Sequence, residues 1–289
     1  MKRTSYLILC AFLCVGTLSA QIKLKGRVID HTNLEPLPFA TIGVKDRSLG
    51  SVADEQGNFS FEIPTDSAGQ NDSVIISSIG YQSIKLSIKE MENRFDVLRL
   101  KPSTVILNEI TIKPGKFKTK TFGRTSRSAF MSTKMISERN HISDELGKEI
   151  GTVIDIDENC QLNDFNMFVI FNHFKLIKFR LNIYSVKDNL PDELLINDNI
   201  TFDVSGGRQI PVNIDLKKYN IYLNDRDKIA VTVQWLKSEL GDNLKRSFNV
   251  AAMHSSKNTI LFRNKSQSQW QEVNGRLSFY VTADCFMHQ

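Results

Sequence analysis

Proline is scarce in this chain of 289 residues, with seven, and tryptophan scarcer, with two. Proline-rich, extended and collagen-like architectures are therefore excluded. Beyond the N-terminus no apolar run approaches the roughly 18 residues that a membrane-spanning helix needs, so the remainder is expected to be soluble or peripheral. Neither sign of charge dominates: 37 Lys plus Arg stand against 32 Asp plus Glu, an excess too mild to imply nucleic acid as a partner. No Gly-x-Ser-x-Gly elbow, phosphate-cradling glycine loop or dinucleotide fingerprint occurs. What is present is an ordinary globular composition, 41% hydrophobic and 24% charged, at a length that suggests two domains.

Lys2 and Arg3 precede the apolar run 6–15, followed by Gly16, Thr17, Leu18, Ser19 and Ala20, the three-part layout of a secretory signal. Residues 1–20 are expected to be that signal, because ten apolar residues span only about 15 Å of helix, half of a roughly 30 Å hydrocarbon core. Leu9 and Leu13 precede Cys10 and Cys14, which disfavours a lipid anchor. Removal of the signal leaves 35 basic against 32 acidic residues, a net charge of +3. Cys160 and Cys285 remain. In an oxidising compartment they form either one disulfide or two buried thiols, and spacing leaves both open.

Between residues 21 and 101 short apolar segments alternate with turn chemistry. Phe59, Phe61 and Ile63 interleave with Asn58, Ser60 and Glu62, and Ile84, Leu86 and Ile88 with Ser83, Lys85 and Ser87. A period of two means strands with one face buried and one wet. The segment Asp54-Glu55-Gln56-Gly57-Asn58 predicts a tight hairpin, with Gly57 supplying a positive φ.

Four strings lie here in order: Lys25-Gly26-Arg27-Val28-Ile29-Asp30, Glu35-Pro36-Leu37-Pro38-Phe39-Ala40-Thr41-Ile42, residues 54–61, and Ile79-Gly80-Tyr81. Together they resemble the carboxypeptidase regulatory-like domain. The resemblance implies a seven-stranded, transthyretin-like β-sandwich, a module found beside carboxypeptidases and at the N-terminus of many bacterial TonB-dependent receptors. Phe39 departs from the small residue, often glycine, common at its position in that family.

Residues 102–139 are expected to be a basic linker: eight basic residues stand against Glu109 and Glu138, for +6. Lys116, Lys118, Lys120, Arg124 and Arg127 form a candidate docking site for anionic lipid or glycan, weighed against simple solvation of a charge run. The string Leu107-Asn108-Glu109-Ile110-Thr111-Ile112 resembles the segment that follows this module in TonB-dependent receptors. The 176 residues after Lys113 are too few for the roughly 22-stranded barrel of such a receptor at about ten residues per strand, so no such barrel is expected.

From residue 140 to 289 alternation returns. Ile177, Phe179, Leu181 and Ile183 interleave with Lys178, Arg180, Asn182 and Tyr184; Ile229, Val231, Val233 and Trp235 with Ala230, Thr232 and Gln234; Leu277, Phe279, Val281 and Ala283 with Ser278, Tyr280 and Thr282. Pro211 removes a ladder donor and marks an edge strand. Ser205-Gly206-Gly207-Arg208 predicts a hairpin turn. The pattern implies an all-β, jelly-roll-like sandwich of roughly eight strands. Residues 179–195 and 212–221 are also similar to a C-terminal sandwich joined to the regulatory-like module in exported bacterial proteins, a likeness that bears on fold alone.

Zinc carboxypeptidase chemistry needs a His-x-x-Glu pair and a distant His. His31, His141, His173, His254 and His288 supply no such pair. Asp155, Asp157 and Asn159 alternate like the start of a calcium loop, but Cys160 and Asn166 stand where such a loop needs glycine and glutamate. No catalytic residue, cofactor or metal is therefore expected. Tyr184 and Tyr280 fall on the outward phase of their strands and Trp270 in a polar run, a candidate stacking face for a sugar. The chain reads as an exported, non-enzymatic protein of the periplasm or outer membrane that acts through binding or assembly, with an envelope protein or a glycan as partner. The alternatives are a carbohydrate-binding accessory of an uptake system and a hydrolase of unknown type.

Overall fold

The computed structural model describes residues 21–92, 95–103, 116–129, 131–134, 145–156, 158–224, 228–241 and 246–286. The expected signal, the segment 107–112, Asp157, His141 and His288 lie outside the described residues. The fold is all-β, as the alternation requires.

The N-terminal sandwich has seven strands: β1 (Gln21–Asp30), β2 (Thr41–Val44), β3 (Gly50–Val52), β4 (Asn58–Pro64), β5 (Ser73–Ser77), β6 (Ile84–Ser87) and β7 (Phe95–Leu100). One sheet runs β4-β1-β7 and the other β3-β2-β5-β6. Leu24, Val28, Phe59 and Ile63 from the first meet Ile42, Val44, Val74 and Ile76 from the second in one apolar core. Each such buried side chain contributes about 1.5–3 kcal/mol. After β6, Ser87 and Glu90 form a reciprocal capping box and open the single-turn helix α1 (Ile88–Met91). Ile88 thus leaves the strand pattern yet remains buried in the same core.

The turn at Asp54 differs from its expected role. The Asp54 carboxylate accepts from the backbone N–H of Gln56 at 2.9 Å and of Asn58 at 2.8 Å, and Gly57 holds φ of 76°. The turn chemistry is as read, but β3 and β4 lie in different sheets. It carries the chain across the sandwich and closes no hairpin.

The second body comprises β8 (Phe117–Gly123), β9 (Met131–Lys134), β10 (Glu149–Asp155), β11 (Cys160–Lys187), β12 (Leu190–Leu194), β13 (Thr201–Asp215), β14 (Tyr222–Leu223), β15 (Lys228–Leu240), β16 (Phe248–Met253), β17 (Thr259–Arg263), β18 (Gln271–Asn274), β19 (Arg276–Leu277) and β20 (Phe279–Phe286). Its spine is β11, 28 residues long. The early part of β11 pairs with β13 and β20, and the later part with β13, β15 and β12. Register shifts between Asn172 and Leu176 mark where it bends. One apolar cluster draws Phe165 from the early part and Phe179 from the late part, with Trp235, Phe248 and Phe279.

Two expectations are corrected here. β8 pairs antiparallel with β20 over seven residues, Phe117 to Gly123, and β9 with β16, so the second body takes in much of the expected linker, which a free charge run would not do. Ser205 to Arg208 lie inside β13, opposite the β11 bend, so the two glycines accommodate an irregular ladder and make no hairpin turn. Pro211 does stand on a strand that pairs with β11 alone among the described residues. The tight turn between β11 and β12 uses Asp188 and Asn189 at φ of 52° and 61°, the two left-handed positions that a short hairpin prefers.

Cys160 and Cys285 face each other across β11 and β20 and form a disulfide. Of the two readings left open by spacing, the bridge is the one the register supports.

The two sandwiches dock. Phe39, Val52, Leu236 and Leu146 share a small apolar cluster at the seam. The Arg180 Nη2 donates to the Phe39 carbonyl at 2.8 Å, the Asp46 N–H to the Gln267 carbonyl at 3.0 Å, and the Ser268 hydroxyl to the Arg47 carbonyl at 3.0 Å. Phe39 holds φ of 59°, the left-handed region that glycine enters freely and that costs a larger residue on the order of 1–3 kcal/mol. Its departure from the small family residue is thus a local strain offset by contacts across the seam.

Two outcomes are expected. Residues 21–289, unfolded without reductant, should show no reactive thiol, and replacing both cysteines by serine should lower stability by about 2–4 kcal/mol; two titratable thiols in the unreduced chain would refute the bridge. Phe39→Gly should relieve the strain but open the seam, seen as faster limited proteolysis between the sandwiches; an unchanged cleavage rate would remove Phe39 from the docking.

Candidate binding cavity

The face of β17, β10, β15 and β11 that turns away from the core carries a polar row. Arg263 lies opposite Glu149, Glu149 opposite Gln234, and Gln234 opposite Arg180. Two residues further along, Thr232 lies opposite Asn182. The interleaved Ile150, Val233 and Leu181 enter the core. Period two therefore assigns the faces correctly, but the outward face is dry: Glu149 is 1%, Arg180 3% and Thr232 0% exposed. The N-terminal sandwich covers it.

A buried carboxylate requires a partner, since desolvation alone costs several kcal/mol. Arg263 Nε and Nη2 both donate to Glu149 Oε2, at 2.8 and 2.6 Å. Oε1 accepts from Asn182 Nδ2 at 2.8 Å, from the Tyr184 hydroxyl at 3.1 Å and from the Thr232 hydroxyl. Burial pushes the Glu149 carboxyl up, but the Arg263 charge and the hydrogen bonds from Thr232, Asn182 and Arg263 outweigh it, holding Glu149 below the usual carboxylate range. Burial first, then the Glu149 charge, drives the Tyr184 phenol well above its ordinary value. Burial lowers Arg263, but Glu149 and Tyr184 reverse this and raise it.

Arg180 is different. Its Nε donates to Asn199 Oδ1 at 2.6 Å, Nη1 to Gln234 Oε1 at 3.0 Å and Nη2 to the Phe39 carbonyl at 2.8 Å. All three acceptors are neutral. Burial pushes this guanidinium down to about 10, so at neutral pH it stays a cation.

Between the sandwiches lies a cavity of about 350 Å³. Arg180, Asn182, Tyr184 and Gln234 line it on one side, and Thr41 with the 77–81 loop on the other. Tyr81 of that loop donates to Asp30 Oδ2 at 2.8 Å, and burial followed by this bond pushes its phenol up to about 12. The Ile79-Gly80-Tyr81 string of the family pattern is thus a cavity wall.

Of the three aromatic residues singled out from the sequence, two come together. Tyr184 and Trp270 meet at 6.1 Å with rings 77° apart, and the Arg263 guanidinium lies 4.4 Å over the Trp270 ring. They are half-buried and edge-to-face, because Tyr184 is drawn inward by Glu149, so they do not form the flat platform that sugar stacking needs. Tyr280 stands elsewhere, on β20 opposite Asn166 and Gly123.

The basic residues are also dispersed. Lys116 and Lys118 are exposed, but Lys120 pairs with Glu158, Arg124 is buried and donates to the Ser128 carbonyl, and Arg127 lies 5.5 Å over the Phe168 ring. Asp155 is 3.8 Å from Lys228. His173 stacks on Phe171 and its Nδ1 meets the Ser247 hydroxyl. Glu158 lies close to Cys160 and Cys285, whose sulfurs are already joined. No helix among the described residues is long and apolar enough to cross a membrane.

Glu149, Gln234, Arg180 and Arg263 were not singled out from the sequence. The available signal was the coincidence of arginine, amide and hydroxyl side chains on one phase of neighbouring strands, which the alternation had assigned to solvent.

Residues 24–112 match the family model described as CarboxypepD_reg-like domain, and the N-terminal sandwich is a domain of that kind. The chain is 36% identical over 106 residues to the TonB-dependent receptor SusC of Bacteroides thetaiotaomicron, across 37% of this chain and 10% of the receptor. It thus spans a small part of the length of that relative. Among solved structures, the cysteine protease and lectin-like domains of Cwp84, a surface layer associated protein of Clostridium difficile, match 92% of this chain and 58% of that one at 9% identity and a TM-score of 0.38. An infectious bursal disease virus Gx strain structure matches 92% of this chain and 64% of that one at 11% identity and a TM-score of 0.27.

The Glu149 pair has a defined pH signature. A carboxyl whose folded value is depressed contributes its full stability above the unfolded value of about 4.3 and loses it as pH falls through the folded value. Glu149→Gln should cost about 3–5 kcal/mol at pH 7 by leaving Arg263 buried and unpaired, and should flatten the acid limb of stability in denaturant titrations between pH 6 and 3. A variant as acid-sensitive as the parent would show that Glu149 does not carry this dependence.

Proposed function

We propose that this chain is an exported, non-catalytic binding protein of the bacterial cell envelope, associated with an outer-membrane uptake system, whose two sandwiches hold a small polar ligand in the cavity between them. The secretory pattern at 1–20 and the likeness of the N-terminal domain to part of a TonB-dependent receptor support the setting. The observation that carries the binding role is the cavity itself, walled by a buried polar row. A volume of about 350 Å³ falls in the range of small-ligand sites, roughly 300–1,000 Å³.

The same groups argue for holding over turnover. General acid–base catalysis works best with a group poised near the operating pH. Here Glu149 is lowered, Tyr184 and Arg263 are raised, and Arg180 stays a cation. Each is locked in one protonation state at pH 7.

The test is thermal-shift screening of residues 21–289 against neutral and acidic mono- and disaccharides, repeated with Ser78→Trp, which fills the cavity from the loop side. Stabilisation by some compound, lost in Ser78→Trp and with the compound recovered chemically intact, is expected. Binding indifferent to Ser78→Trp would move the site elsewhere, and a converted compound would make the protein an enzyme.

A further inference from the structure

We infer that the cavity takes an anionic ligand, a small molecule bearing a carboxylate such as a sugar acid, and that Arg180 is the residue that selects it. This rests on the reading of the cavity as a binding site and goes further by naming the ligand chemistry.

The inference starts from charge accounting along the polar row. Arg263 and Arg180 both line the cavity, and among the described residues no acidic side chain does. Arg263 is neutralised from beneath by Glu149 at 2.6 Å. Arg180 makes no ion pair among the described residues; its hydrogen bonds go to one amide oxygen on each of Asn199 and Gln234 and to the carbonyl of Phe39. The Glu149 charge also acts on Arg180 from further away, but one carboxylate against two guanidiniums leaves the row with a net positive charge whose desolvation cost is only partly recovered. Structures tolerate such a cation where a ligand completes it, and buried charges are as a rule paired.

Position favours the same conclusion. Three acceptors hold the guanidinium at Nε, Nη1 and Nη2, fixing its plane before any ligand arrives, and the side chain lines the cavity with N–H groups to spare. Arginine's planar fork matches a carboxylate geometrically. The opposite wall offers the hydroxyl-bearing Ser77, Ser78, Ser83 and Ser103, suited to the hydroxyl groups of a sugar. Because one wall belongs to the N-terminal sandwich and Arg180 also bonds Phe39 of that sandwich, ligand and seam share a residue, so an occupied cavity should hold the two bodies together more tightly.

Calorimetric titration of residues 21–289 with glucuronate and galacturonate, with glucose and galactose as neutral counterparts and with inorganic phosphate, tests this. At least one uronate should bind tenfold or more tightly than its neutral counterpart, and Arg180→Gln should remove that preference. Since Arg180→Gln alters the seam, a second variant is needed. Gln234→Glu places a carboxylate beside Arg180 in nearly the same shape, though also opposite Glu149; in protein that still melts cooperatively it should abolish uronate binding by occupying the cation. Uronate affinity unchanged in Gln234→Glu would overturn the inference, as would phosphate binding in preference to every uronate. Neutral sugars binding as well as uronates, in a manner lost in Ser78→Trp and untouched by Gln234→Glu, would defeat the anionic assignment while leaving the cavity a binding site. Failure of every compound to bind would defeat both.

Discussion

The constraint on which this structure turns is that a charged side chain taken out of water must find compensation nearby. One sheet of the second body is covered on both faces, by its own core on one and by the N-terminal sandwich on the other. The face toward the sandwich carries two arginines and a glutamate. The glutamate is satisfied five times over, by two nitrogens of Arg263 and by Asn182, Tyr184 and Thr232. That satisfaction fixes the side chains of four strands in one arrangement. From the same row Arg180 reaches across to the Phe39 carbonyl, a directional contact between the two bodies.

The seam mixes two kinds of contact. Phe39, Val52, Leu236 and Leu146 supply non-directional apolar burial, which sets how strongly the bodies adhere. Backbone-directed hydrogen bonds such as Asp46 to Gln267 and Arg180 to Phe39 set their register. Phe39 serves in both groups through its ring and its carbonyl, at the cost of a strained backbone. A residue that departs from its family's habit has here a physical reason, visible only with the second body in place.

The N-terminal domain was largely legible in the sequence because its signals are local. Alternation at Phe59 to Ile63 and the Asp54–Gly57 turn depend on neighbours a few residues away, and family strings covered the remainder. That β3 and β4 belong to different sheets was not legible, since a turn fixes local direction and leaves the pairing partner open. In the second body, alternation identified which residues share a face: Arg180 with Asn182 and Tyr184, Thr232 with Gln234. It could not say that the face is dry, because part of its cover comes from Phe39, 141 positions before Arg180. The basic segment misled for a related reason. Lys118 and Lys120 lie on a strand whose partner is the last one in the described chain, and charge along an edge strand is a common device against aggregation that looks like a solvated tether when its partner is unseen.

The placement of β20 bears on how the second body is assembled. It lies between β11 and β8, two strands that precede it in sequence by about a hundred residues or more, and its Cys285 is bonded to Cys160. Neither neighbour can complete its ladder until this late segment arrives, so the layer closes like a gap filled from the tail. Contacts this distant along the chain make for slow, late-committing folding. During that interval β11 and β8 present unpaired edges, and the polypeptide depends on being shielded from other chains until its final strand slots home.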